Sequence, residues 1–352
     1  MNRKAIVFCA GGTAGHTFPA AALALDIKKR HCNTILITDL RGVKYVKDEF
    51  TKVIALPISR LGLEYFIKAP YLFIRSFIEI MKANKVVCFG GYISLFPFLA
   101  AVLLRKERVI YQLDSHITRL NRLLIPFAHT VLYGFAHTNL KKHQRNKAYC
   151  FGIPVRNGFE FSFIKKADKL TIAVIGGSLG SAYWKKLISD TLSLLPASVR
   201  KTISLKIQTS ESLDFLKKFD LADLESKPFY DTANLFNKSH LIIARAGATS
   251  IAEISSVARA AYLVPWENAV ENHQYKNARN YACFQGAEFG NDPKQLADYI
   301  SKIAKSDQFF YQVCENASRA FPQYAKNKAG AFLANGNLKH SNDGINHESL
   351  NF

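Results

Sequence analysis

Two stretches of this 352-residue chain set glycine, hydroxyl and imidazole groups where they can hold an anion or a sugar. In AIVFCAGGTAGHTFP, residues 5–19, an apolar run enters Gly11 and Gly12, and Thr13, Gly15 and His16 follow before the Ala/Leu-rich run 20–25. This pattern predicts a buried strand, a tight turn and a helix. Glycine there permits positive φ and close approach of backbone to a ligand, Thr13 can cap the helix, and the helix amino terminus favours negative charge. A plain tight connection would read the same way, and this stretch by itself does not choose. The design recurs at 170–180, where LTIAVI runs into Gly176, Gly177, Ser178 and Gly180. A third strand, 86–89, ends in Gly90 and Gly91, with Tyr92 and Ser94 just beyond.

The elements that must position these turns alternate. Strands are expected at 33–38, 52–56, 86–89, 108–113 and 130–133, with a short helix at 43–50. Residues 63–81 read as a helix kinked at Pro70. Its apolar positions Leu63, Phe66, Ile67, Ile74, Phe77, Ile78 and Met81 recur at three and four, with Lys68, Arg75, Glu79 and Lys82 on another face. The pattern loosens at 152–169 and then repeats. Strands are expected at 170–175, 203–208, 227–230, 240–244 and 261–264, and helices at 213–219, 250–257, 273–282 and 293–304. The fold class is therefore α/β, with two Rossmann-like doubly wound parallel-sheet domains whose ligands sit beyond the carboxyl ends of the strands. The domains are placed at 1–157 and 158–329, with 330–352 expected to be a disordered tail.

Composition narrows the classes. A formal charge of +20 suggests a polyanionic partner or an anionic membrane surface. Nucleic acid is not expected, because the basic residues are scattered without a recognition motif. Six scattered cysteines read as free thiols of a reducing compartment, so neither a disulfide framework nor a metal site is expected. The apolar run near the amino terminus is too short for a signal peptide, and residues 95–104, interrupted by Pro97, are too short to span a bilayer of about 30 Å.

Six motifs in register then resemble the MurG family, glycosyltransferase family 28 enzymes of GT-B architecture. GGTAGHTFPA at 11–20 is similar to GGTGGHxxPA, GGYISLFP at 90–97 to GGYxSxP, and GIPVR at 152–156 to GNPVR. GGSLGS at 176–181 is similar to GGSxGA, RAGATSIAE at 245–253 to RxGAxTxxE, and PWENAVENHQYKNA at 265–278 to PxPxAxxxHQxxNA. The resemblance implies two domains facing a cleft. It implies an inverting transfer of N-acetylglucosamine from UDP-GlcNAc to the 4-hydroxyl of MurNAc in lipid I, giving lipid II for peptidoglycan, without a cofactor. The enzyme would lie peripherally on the cytoplasmic face of the bacterial inner membrane, with an anionic membrane surface and other cell-wall synthesis enzymes as partners.

Site roles follow from the same resemblance. His16 is implied as general base or as a partner of the acceptor pyrophosphate, with Gly12, Thr13, Tyr92, Ser94 and Asn121 on the acceptor side. On the donor side it implies Gly177 and Ser178 at the diphosphate and Glu253 at the ribose, together with Thr13, Gly15, Arg156, Arg245, Gly247, Ala248, His273 and Gln274. Asn272 would cap the helix that His273 opens. YQLDSHITRLN at 111–121 departs from the family's HEQNxxxGxxN, matching only at Asn121. Two other readings stay open: a transferase acting on a different membrane glycolipid such as diacylglycerol, and a decayed, non-catalytic scaffold of cell-wall synthesis.

Overall fold

The structure, a computed structural model, describes residues 4–46, 48–58, 62–136, 138, 140, 142–176, 181–321 and 325–335. The chain divides into two units, Met1–Arg156 with Tyr324–Phe352, and Asn157–Gln323.

In the first unit seven parallel strands are ordered β3-β2-β1-β4-β5-β6-β7: β1 Ala5–Cys9, β2 Asn33–Asp39, β3 Lys52–Leu56, β4 Lys85–Cys88, β5 Glu107–Gln112, β6 Thr130–Tyr133 and β7 Ala148–Cys150. In the second, six run β10-β9-β8-β11-β12-β13: β8 Leu170–Ile175, β9 Ile203–Gln208, β10 Asp223–Lys227, β11 Leu241–Ala244, β12 Ala260–Leu263 and β13 Ala287–Phe289. Central strands covered on both faces have no solvent side, which is why β1 and β11 are buried along their whole length. Strand order reverses between β1 and β4 and again between β8 and β11, and ligands of doubly wound sheets bind at such switch points. The glycine turns at 11–12 and 90–91 follow β1 and β4, Gly176 follows β8, and the turn at 245–247 follows β11.

The first unit's helices are α1 Ala14–Lys29, α2 Leu63–Ile67, α3 Ala69–Met81, α4 Leu95–Leu103, α5 Arg119–Leu124 and α6 Lys142–Arg145. Those of the second are α7 Ser181–Leu194, α8 Ala197–Arg200, α9 Thr232–Asn237, α10 Ala248–Ser256, α11 His273–Ala282, α12 Pro293–Lys305 and α13 Asp307–Arg319. The last helix, α14 Ala325–Asn335, returns to the first unit and packs on α1. A methyl group on Gly330 would fall 2.0 Å from the Asp26 carboxylate, Lys85 Nζ donates to the Leu333 carbonyl at 2.9 Å, and Phe332 meets the rings of Tyr149 and Phe151. Two expectations are corrected here: 330–335 are helical rather than tail, and 325–329 belong with the first unit rather than the second. Residues 336–352 lie outside the described part of the chain.

Other differences have local causes. The helix expected at 43–50 is a single 3-10 turn, Gly42–Tyr45, and the one at 213–219 is also 3-10. The strand placed at 227–230 lies earlier, at Asp223–Lys227, because β10 takes its register from β9. Pro70 divides 63–81 into two helices rather than kinking one, opening α3 where its missing N–H costs nothing. The apolar stripe of α3 is not its core-facing side. Glu79 is buried and paired with Lys52 (2.7 Å) and Arg75 (2.9 Å), while Ile74, Ile78 and Met81 face solvent.

Gly286, between α11 and β13, fixes how closely α13 packs, since a methyl there would lie 2.5 Å from the Ala317 Cα and 2.6 Å from its nitrogen. Backbone cannot swing aside as a side chain can. Gly286→Ala is expected to destabilise the protein by about 1–3 kcal/mol, read as a lower urea midpoint in equilibrium unfolding.

Candidate active site

In the first unit the turns after β1, β2 and β4 meet on one side chain that the sequence reading passed over, Asp39 at the carboxyl end of β2. It has no exposed surface. Its Oδ1 accepts the backbone N–H of Gly12 (3.0 Å) and of Gly42 (2.8 Å), and its Oδ2 accepts Arg41 Nε and Nη2 (3.3 and 3.2 Å) and the hydroxyl of Tyr92. Arg41 Nη2 also donates to the Tyr92 hydroxyl at 3.0 Å, and Tyr65 donates to the Tyr92 carbonyl at 2.8 Å. Burial raises the Asp39 carboxyl, but the bonds from Tyr92, Gly12, Gly42 and Arg41 outweigh it and hold the group below its usual range. Burial, and then donation to Asp39, push the Tyr92 phenol up to about 12. An acid ending a strand beside a glycine turn was the only signal, and no periodicity marks it.

A depressed carboxyl adds stability that is complete above its unfolded value and fades as pH falls through the folded one. Asp39→Asn should therefore lose stability at neutral pH and show a flatter decline below about pH 4, measured as urea midpoints from pH 3 to 7.

Gly12 adopts φ +87° and Gly91 φ +74°, conformations that suit glycine. His16, in the first turn of α1, lies against the second of these turns: a methyl on Gly91 would fall 3.7 Å from its Cε1 and Nδ1. The structure thus brings Gly12, His16 and Tyr92 together at the switch point, with Gly15 in the same helical turn. Thr13 is corrected in one respect. It stands at the N-cap, but its side chain makes no cap bond, and its carbonyl receives His16 N, Thr17 N and the Thr17 hydroxyl. Ser94 is corrected from lining residue to support: it is fully buried, and its hydroxyl donates to the carbonyls of Gly90 (3.0 Å) and Cys9 (3.4 Å). Asn121 is also buried, donating to Gln112 Oε1 at 2.7 Å beside Gly90, while its own Oδ1 has no hydrogen-bond partner. In the divergent 111–121 segment Tyr111 is interior, stacked on Phe89 and donating to the Gly152 carbonyl at 2.9 Å. Arg156 lies 3.8 Å over the ring of Phe18, on α1.

In the second unit the expected diphosphate residues Gly177 and Ser178 lie outside the described residues. Gly176 has to be glycine, because a methyl would fall 1.5 Å from the Trp184 Nε1. Arg245, at the end of β11, donates to the Val264 carbonyl at 3.3 Å, and its guanidinium sits 4.8 Å from the Tyr183 ring and 5.0 Å from that of Trp184. Burial lowers its basicity. With Tyr183, Trp266, Glu267, Asn268 and Asn291 it lines a cavity of about 260 Å³, and neither tryptophan nor this tyrosine was singled out from sequence.

Gly247 caps α10, placing Ala248 in its first turn. Glu253, on the same helix, is buried, which excludes the surface glutamate that an amphipathic pattern would suggest. Asn277 Nδ2 donates to the Ala246 carbonyl at 3.2 Å and so ties α11 to this turn. Gln274 Oε1 accepts the Trp266 N–H at 2.9 Å, closing the loop that leads to His273. Asn272 does not cap α11 through its side chain. Like Glu271 it has φ +54°, two successive left-handed residues at the entrance to the helix.

Among the described residues no group of His, Cys, Asp and Glu is arranged to hold a metal ion. The turns offer amides, hydroxyls, an imidazole and guanidiniums, chemistry suited to a phosphorylated sugar.

Residues 6–133 match the glycosyltransferase family 28 N-terminal domain and 171–328 the glycosyltransferase family 28 C-terminal domain. Similar curated proteins include the UDP-N-acetylglucosamine–N-acetylmuramyl-(pentapeptide) pyrophosphoryl-undecaprenol N-acetylglucosamine transferases of Zymomonas mobilis and Novosphingobium aromaticivorans. They are 32% and 31% identical over 85% of this chain and 84% of theirs. The one from Hydrogenovibrio crunogenus is 28% identical over 93% of this chain and 95% of its own. The crystal structure of Acinetobacter baumannii MurG superposes with a TM-score of 0.75 at 23% identity, covering 94% of this chain and 98% of that one, a likeness of fold.

Proposed function

The chain belongs to glycosyltransferase family 28, and on that premise we propose that it moves N-acetylglucosamine from UDP-N-acetylglucosamine to the 4-hydroxyl of MurNAc in lipid I, making lipid II. It is a hexosyltransferase with the GT-B two-domain fold. The observation that carries the reading is the convergence of three strand-end turns on Asp39 in the unit that also bears His16, a prebuilt cradle for a phosphorylated acceptor. The second unit supplies donor contacts: amides at 176–180 for the diphosphate, Glu253 for the ribose hydroxyls, and Arg245, Gly247, Ala248, His273 and Gln274 around phosphate and sugar.

In the reaction the MurNAc O4 attacks C1 of the sugar, the C1–O bond to UDP breaks, and His16 takes the hydroxyl proton. Backbone N–H groups of the second unit's glycine motif meet the leaving diphosphate in this reading. One displacement inverts the anomeric centre, from the α-linked donor to a β-1,4 product. A large axial-type coupling at the new anomeric proton is the expected NMR result, and a small one would mean retention.

The acceptor is a lipid, and we assign membrane contact, on the cytoplasmic face of the inner membrane, to the outer surface of α2, α3 and α4. Leu63, Phe66, Ile67 and Leu103 are 65–77% exposed there, with Ile74, Ile78 and Met81 between them. An apolar patch of this extent marks an interaction surface, and Lys82 and Arg105 at its edge suit anionic headgroups. No helix among the described residues is long and apolar enough to cross a membrane. Changing Lys82 and Arg105 together to Glu should weaken binding to phosphatidylglycerol vesicles about tenfold or more, with added salt weakening the wild type likewise. Unaltered sedimentation with vesicles would assign the contact elsewhere. Arg75 is a poor choice for this test because it holds buried Glu79.

A further inference from the structure

We infer that Arg41 is an acceptor-binding residue, whose guanidinium, gripped from behind by Asp39 and Tyr92, takes the pyrophosphate of the lipid-linked acceptor on its outward edge. The inference deepens the proposed function and rests on it for the identity of the anion. No motif of the family resemblance reaches residue 41, so the assignment comes from geometry alone.

Arg41 uses Nε and Nη2 toward the Asp39 carboxylate and Nη2 toward the Tyr92 hydroxyl, bonds in which Nη1 has no part. Its side chain keeps 41% of its surface exposed, whereas Asp39 keeps none. The guanidinium also lies against the first glycine turn, since a methyl on Gly12 would fall 3.3 Å from Nη2. It therefore stands beside the turn that leads into His16, with Nε and Nη2 fixed and Nη1 outside those bonds.

Pairing with buried Asp39 accounts for Nε and Nη2 of Arg41 but not for Nη1. Asp39 already receives two backbone N–H groups and the Tyr92 hydroxyl, enough to join the three turns. What Arg41 adds is a positive charge whose planar fork is held in one orientation by a buried carboxylate. With Nε and Nη2 engaged, Nη1 keeps its two N–H groups for phosphate oxygens, and pre-orientation reduces the freedom lost on binding. The relatives' acceptor carries a pyrophosphoryl group, as their names state, and a pyrophosphate diester offers adjacent anionic oxygens for that contact.

The test is two-substrate kinetics on the full chain with lipid I and UDP-N-acetylglucosamine, alongside calorimetric titration with inorganic pyrophosphate. Arg41→Ala should raise the KM for lipid I about tenfold or more while leaving the KM for the donor within about twofold, and Arg41→Lys should recover part of the loss. Pyrophosphate binding at the site should disappear in Arg41→Ala and return in part in Arg41→Lys. If wild type transfers to lipid I and Arg41→Ala matches it in both KM values, the site is overturned and the function stands. If wild type transfers nothing to lipid I yet loses pyrophosphate binding on Arg41→Ala, the function falls and the anion site stands. Equal rises in both KM values would show a structural residue and overturn the inference.

Discussion

His16→Ala is expected to lower kcat by about 10²–10⁴-fold, the contribution a positioned proton acceptor usually makes, with the KM for either substrate little altered. The ring lies against Gly91 in the first turn of α1, at the switch point of the first sheet, and in the proposed reaction it takes the proton of the acceptor hydroxyl. A histidine that only bound pyrophosphate would raise the acceptor KM instead and leave kcat nearly intact. Steady-state kcat and KM, measured with each substrate varied in turn, separate the two roles.

Glu253→Gln should raise the donor KM by roughly ten- to a hundredfold, the equivalent of about 1.5–3 kcal/mol for hydrogen bonds to a charged acceptor. Because Glu253 is buried, part of any loss could come from the helix itself. A donor lacking the ribose 2′-hydroxyl isolates the intended contact. Wild type should bind it poorly, and the variant should hardly distinguish it from the complete donor. Equal discrimination by both proteins would show that Glu253 does not read the ribose.

The central strands were legible because strands without a solvent side must be continuously apolar: β1 and β8 begin and end close to where their runs do. The glycine turns were legible because only a few residues tolerate their backbone angles. What stayed hidden depends on partners distant in sequence. The burial of Glu79 rests on Lys52, 27 positions away, so helical periodicity alone does not tell which face of α3 turns inward. The return of α14 to the first unit requires Gly330 to fit against Asp26, and nothing local to residues 325–335 announces it. Asp39 is a single acid whose role emerges only when the turns at Gly12, Gly42 and Tyr92 are assembled around it. Ser94 shows the opposite limit. Its motif position was recognisable, but only the fold shows that its hydroxyl supports the turn from below. The stack of Tyr183 and Trp184 on Arg245 follows the same rule, since it needs β11 and α7 side by side.

The most direct test of the whole account is transfer of radiolabelled N-acetylglucosamine by the purified chain to lipid I and, in parallel, to diacylglycerol in the same vesicles. The account predicts label in the lipid I product, one UDP released per sugar moved, and none in diacylglycerol. Label in diacylglycerol, or donor binding with no transfer to lipid I, would contradict it.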